Sequence, residues 1–140
     1  LDSIDLAFRL ADLTLSKKAS DVKVLDLRNL TTITDFFVIC TGSSDTQVKA
    51  IADAVIAGSK ENYGERPWHK EGITNRSWVL LDYVQVVVHV FLNDTRNFYG
   101  LEKLWGDAVI TDVKDEEEIP NKKTETLPKK PRAKKSKKKE

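Results

Sequence analysis

The stretch TGSSDTQVKAIADAV, residues 41–55, sets the turn Gly42-Ser43 between an apolar strand-like run and a helix-forming segment. A turn of that kind can cradle a nucleotide phosphate. Nucleotidyl transfer also needs carboxylates alternating on a strand, so that both face one cleft and hold Mg²⁺. No acidic-x-acidic pair occurs before residue 115, so Gly42 and Ser43 read as a turn and Ser44 or Asp45 as the cap of the helix that follows. The chain has two histidines, His69 and His89, and one cysteine, Cys40, fewer than a zinc cluster needs. A Cys40–His89 pair would be a nucleophile with its base, but a cysteine beside Phe37 and Ile39 reads as a small core residue. Walker-type loops and dinucleotide fingerprints are missing from the sequence. The expectation is a protein that is not an enzyme, with no catalytic, cofactor-binding or metal-ligating set.

What the sequence offers instead is apolar surface. In QVVVHVFLNDTRNFYGLEKLWGDA, residues 85–108, strand alternation sends Val86, Val88, Val90 and Leu92 to one face and Val87, His89 and Phe91 to the other, and neither face is polar. In the helix expected after it, Phe98, Leu101, Leu104 and Trp105 form a core stripe, while Tyr99 and Glu102 turn elsewhere. Trp78, Tyr83, Arg96 and Trp105 complete a set of residue types favoured at interfaces. Three helices blanket one face of a sheet and part of the other, and an uncovered strip of that kind marks a protein contact.

These side chains need a scaffold, and 140 residues suffice for one ordinary domain. Residues 3–18 carry Ile4, Ala7, Phe8, Ala11 and Leu15 at helical spacing, widened by Leu6, Leu10 and Leu13. VKVLDL and DFFVICT read as antiparallel strands, and a helix over 46–62 then implies a crossover to a strand parallel to DFFVICT. A short edge strand is expected around Trp68. SWVLLD and VQVVVHVFL should form a hairpin around Asp82–Gln85, and Asp94 should cap a last helix over 95–106. The expected fold class is α/β, a mixed sheet of about five strands with three helices, over residues 1–113. A lone cysteine and no evident leader imply a reducing, cytoplasmic setting. The uncharged stretch Phe36–Ser44 is far below the roughly 20 residues of a membrane span.

Five blocks carry a resemblance: TDFFVICTGSS, QVKAIADAV, EG followed by WVLLDY, VVVHVF, and TRNFYGLEKLWGDA. Over residues 3–108 the chain resembles the ribosomal silencing factor family, also called Iojap-like. The resemblance implies a nucleotidyltransferase-like topology without that activity, a homodimer when free, and a translation regulator. Such a regulator docks on the fourteenth protein of the large ribosomal subunit and sterically prevents the small subunit from joining. Carried over by position, the partner-binding residues are Trp78, Tyr83, His89, Phe91, Arg96, Tyr99, Glu102 and Trp105. Family hairpins read Asp-Tyr-Gly where this chain has Asp82-Tyr83-Val84, and a β-branched residue disfavours positive φ, so a longer or differently shaped hairpin is expected.

Residues 114–140 hold 11 Lys and Arg against 6 Asp and Glu, leaving 12 against 16 in residues 1–113. With almost no large apolar residues and long like-charge runs, this tail is expected to be disordered. Its end carries Lys129, Lys130, Arg132, Lys134, Lys135, Lys137, Lys138 and Lys139, a possible non-specific tether to ribosomal RNA through counterion release. Three function classes follow: a ribosome-docking module, a general RNA-binding protein acting through this tail, and a nucleotide-binding enzyme of nucleotidyltransferase type. The first is favoured.

Overall fold

A computed structural model of the chain describes residues 1–115; the tail tether, Lys129 to Lys139, lies outside the described residues. Helix α1, Ser3–Leu15, starts where the Asp2 carboxylate accepts the Asp5 backbone N–H at 3.0 Å. It buries Leu6, Ala7, Leu10, Ala11 and Thr14, one stripe at helical spacing. Strand β1, Ser20–Asp26, pairs antiparallel with β2, Phe36–Gly42, with Val24 opposite Val38. Helix α2, Asp45–Tyr63, follows. Its cap is Ser44, whose hydroxyl oxygen accepts from Gln47 N–H at 3.1 Å.

The chain then makes β3, His69–Glu71; β4, Trp78–Asp82; and β5, Val86–Leu92, which runs parallel to β2 with Val38 opposite Val88. The expected crossover is there. After β5 come α3, Asn93–Tyr99, the single turn α4, Leu101–Leu104, and β6, Val109–Val113. Among the described residues the sheet has six strands in the order β3-β4-β5-β2-β1-β6. Strand β6 is the addition to the expected five. Val109-Ile110-Thr111-Asp112-Val113 has no strong alternation, and its pairing with β1 is what makes it a strand.

Helices α1 and α2 cover one face, where Val24, Val38, Cys40, Ile51, Val55, Leu81, Val88 and Val90 are buried together. Each such Ile, Leu or Val contributes roughly 1.5–3 kcal/mol when fully buried. The opposite face buries a smaller set, Leu25, Leu27, Ile39 and Phe91, against Phe37, Trp78, Leu101, Trp105 and Ala108. Among the described residues its helical cover is α3 and α4, with Ala108 packed beside them.

The expected single helix over 95–106 is in fact two, because Gly100 adopts φ +58° and breaks it. Only glycine takes that left-handed conformation without steric cost. The break shifts the helical phase, so Leu101 and Trp105 reach the sheet while Phe98 and Leu104 face solvent; the expected four-residue core stripe is halved. Asp94 does not cap: α3 begins at Asn93 with no side-chain cap bond.

Of the two expected outcomes for the β4–β5 hairpin, the structure shows a different shape rather than a longer loop. Gln85 N–H donates to the Tyr83 carbonyl at 2.9 Å, closing a three-residue turn centred on Val84. Val84 sits at φ +75°, and the Asp82 carboxylate accepts its N–H at 2.7 Å. A β-branched residue in this region is strained, and its side chain is more than half exposed, so little packing compensates. Val84→Gly should therefore raise the urea midpoint at unchanged slope, by about 1 kcal/mol of stability.

Candidate docking face

The second face of the sheet is an aromatic ladder. Trp78 of β4 packs on Phe91 of β5, ring centroids 4.9 Å apart, and on Tyr99 of α3 at 4.6 Å. Phe98 stands edge-on to Tyr99 at 5.0 Å. Phe37 of β2 meets the His89 ring at 4.4 Å and Trp105 at 6.0 Å. The ladder thus runs from solvent at Phe98, over the sheet, to Trp105. Strand pairing puts Trp78 opposite Phe91 and Leu80 opposite His89, which is why these side chains share a face.

His89 is buried at the centre of the ladder. Its Nδ1 accepts the Trp78 indole N–H at 3.1 Å, which places the imidazole proton on Nε2. That Nε2 finds no hydrogen-bond partner among the described residues. Burial lowers the pKa to about 3, so the ring is neutral near pH 7. In the chain alone the neutral ring serves as a hydrogen-bond acceptor for Trp78.

Arg96 is 4% exposed and is the most connected side chain of the last segment. Its guanidinium grips Glu102 with two bonds, 3.1 and 2.8 Å. A third and a fourth, both 2.8 Å, go to the Asp21 carbonyl and the Thr41 hydroxyl oxygen. The Asp21 carboxylate lies 3.6 Å away. These bonds join α3, α4, β1 and β2 at one point. Removing one partner of a buried pair of this kind costs about 3–5 kcal/mol.

Of the eight residues expected to bind a partner, five line the ladder: Trp78, His89, Phe91, Tyr99 and Trp105. Tyr99 is half exposed, Trp78 and Trp105 are half-buried, and His89 and Phe91 lie beneath them. Arg96 and Glu102 are paired with each other. Tyr83 is elsewhere: it is buried on the α1–α2 face, its hydroxyl 2.8 Å from Ser59 Oγ, so the partner-facing position expected for it is corrected to a core one. The Ser59 hydroxyl donates to the Ile56 carbonyl, which leaves the Tyr83 O–H as donor to Ser59. Phe98, Leu104 and Phe37 belong to this side of the molecule and were missed. Gly100 was the available signal, since a glycine inside an expected helix can break its phase.

The Gly-Ser turn leaves little for a phosphate. Gln47 Oε1 takes both the Ser43 backbone N–H, at 2.6 Å, and the Ser43 hydroxyl, at 2.8 Å. The other end of Gln47 donates to the Lys17 and Lys18 carbonyls, tying α2 to the end of α1. A Cβ on Gly42 would lie 2.9 Å from a Val48 methyl, so the turn is closed against the helix. Cys40 is fully buried, and burial pushes its thiol up to about 12. No cluster of three or more metal-capable side chains occurs among the described residues, and none of their helices is long and apolar enough to cross a membrane.

Fold and face define a mixed α/β protein with one helix-covered face and one half-covered aromatic face. The family profile described as "Ribosomal silencing factor during starvation" matches residues 1–140, the charged tail included. The chain is similar to the ribosomal silencing factor of Bacillus subtilis, 45% identical over 97 residues that span 69% of this chain and 81% of that one. It is 47% identical over 92 residues to that of Halalkalibacterium halodurans, covering 66% and 78%. A crystal structure of a Chromobacterium violaceum protein, 34% identical, superposes with a TM-score of 0.73 over 76% of this chain and 88% of that one. The chain belongs to the ribosomal silencing factor family, non-enzymatic translation regulators whose partner is the ribosome.

Two measurements check the placements above. His89 has a folded pKa below its unfolded value, so the unfolded state binds the extra proton between about pH 6.5 and 3 and stability falls as pH drops through that window. His89→Gln should remove on the order of 2 kcal/mol of the stability difference between pH 7 and pH 5, read from urea curves at the two values. Tyr83→Phe, losing one buried hydroxyl bond, should cost about 1 kcal/mol and leave ribosome binding unchanged in sedimentation.

Proposed function

We propose that the chain docks on the large ribosomal subunit, at its fourteenth protein, and by standing there sterically keeps the small subunit from joining, which lowers protein synthesis. The observation that carries this reading is the half-closed ladder: Tyr99 is 51% exposed and Trp78 and Trp105 are half-buried, in a member of a ribosomal silencing family. Large amphipathic aromatics that are already ordered lose little entropy on binding and gain by desolvation. His89 and Phe91 support them from below, and Arg96 and Glu102 hold the segment that carries Tyr99. Blocking a joint requires bulk and residence time rather than chemistry. The setting is the cytoplasm. When free, the chain pairs as a homodimer, a second way of taking apolar area out of water.

The basic run from Lys129 to Lys139 adds a tether to ribosomal RNA, non-specific and steeply salt-dependent. A second reading makes that run the whole activity, a general RNA binder; the acidic excess of residues 1–113 leaves the globule itself unsuited to RNA. The two readings separate on truncation. Residues 1–115 should still co-sediment with isolated large subunits and inhibit subunit joining in vitro, with weaker salt dependence than the full chain. Loss of all association would favour the RNA binder, and association without inhibition would remove the blocking mechanism. Tyr99→Ala should weaken docking about tenfold or more and lower the melting temperature only slightly, through the lost contact with Trp78.

A further inference from the structure

Two large apolar side chains of the last segment face outward although helical spacing assigns them to the core. Phe98 is 81% exposed and Leu104 is 72% exposed. They stand on either side of Gly100, Phe98 on α3 and Leu104 on α4, and Leu101 and Trp105 take the contacts with the sheet instead. With neither packed into the core, their own burial does not fix the angle between the two arms.

That angle is set underneath. Arg96 belongs to α3 and Glu102 to α4, so their two-bond pair spans the kink, while the Asp21 carbonyl and Thr41 hydroxyl fasten the same guanidinium to β1 and β2. Burying a guanidinium gains little net stability, because desolvation offsets most of the attraction. What the planar fork supplies is a fixed direction for each bond.

We propose that Phe98 and Leu104 are the anchors which α3 and α4 press into the ribosomal protein, and that Arg96 and Glu102 are positioning residues that fix the two anchors relative to each other without touching the partner. This rests on the docking reading above and adds to it the side chains that enter the partner. The occupant is a basic protein surface rather than RNA. Asp94 and Asp107 are exposed on this segment against a single exposed cation, Lys103, and residues 1–113 as a whole carry more acid than base. Such a surface repels phosphate and complements a lysine- and arginine-rich protein.

The test measures binding of the full chain to isolated large subunits, together with hydrogen exchange of amides 93–105. Phe98→Ser and Leu104→Ser should each lower affinity about tenfold or more, with melting temperature and exchange of the monomer little changed, since Leu104 is mostly solvated there and Phe98 gives up only its edge contact with Tyr99. Arg96→Lys keeps the charge and loses the fork. It should lower affinity by a similar factor and speed exchange in α3 and α4, and Glu102→Gln should do the same more mildly. In the Phe98→Ser/Leu104→Ser background their effect on affinity should shrink to the part that passes through Tyr99, because the two anchors are no longer there to be positioned.

Serine variants that bind as tightly as the unaltered chain would overturn the anchors and leave the docking reading standing. An Arg96 or Glu102 effect of equal size with and without the anchors would overturn their role in positioning Phe98 and Leu104. Failure of the unaltered chain to bind large subunits would bring down the docking reading and this inference together.

Discussion

The parallel pairing of β2 with β5 constrains everything else in the molecule. A parallel pair at the centre of a sheet needs a crossover, here α2, and its strands are apolar on both sides, so both faces must be kept from water. Two long helices, α1 and α2, meet that need on one face. On the other the described residues supply only seven residues of α3 and four of α4 as helical cover. Phe37, Trp78, Leu101 and Trp105 are consequently left half-covered on that side. The aromatic ladder follows from this unequal cover, since rings stacked edge to face can shield one another where no helix reaches.

Arg96 is the device that makes so small a cover hold. A seven-residue helix and a single turn have little intrinsic stability, and Gly100 between them adds freedom. Anchoring both through one buried guanidinium, to Glu102 across the kink and to Asp21 and Thr41 in the strands, substitutes directed bonds for packed area. Asp21 itself sits at φ +50° at the irregular start of β1, and Thr41 lies at the end of β2. The segment is therefore fastened where two strands of the sheet meet, and the outward direction of Phe98, Tyr99 and Leu104 is inherited from that attachment.

The closed form of the Gly-Ser turn has an equally local cause. Gln47, one helical turn into α2, satisfies the donors of Ser43 and reaches the last carbonyls after α1. A turn that could have presented its N–H groups to an anion spends them on joining two helices. His89 follows the same pattern: buried and neutral beneath Trp78, it serves as an acceptor inside the ladder.

Much of this was legible in the sequence. The helix of α1, though its buried stripe is centred on Leu6, Ala7, Leu10 and Ala11 rather than on Ile4, Phe8 and Leu15, a cap for α2 at Ser44 or Asp45, the crossover and the alternation of β5 follow from short-range patterns, which depend on where successive side chains point. So did the inventory of aromatics near the end of the domain, the lack of paired carboxylates, and the resemblance to a family of translation regulators. The sequence could not reveal which way the last helix faced, because one left-handed residue at Gly100 changes the phase of everything after it. It also hid β6, a strand only by virtue of its neighbour, and it hid the core position of Tyr83, decided by Ser59 on α2. The strained turn at Val84 went the same way: intrinsic preference argued against it, and the pairing of β4 with β5 imposed it. Local patterns set which elements exist and which of their faces are apolar; long-range contacts alone determined how completely each face was covered, and so which side chains were left for another molecule to meet.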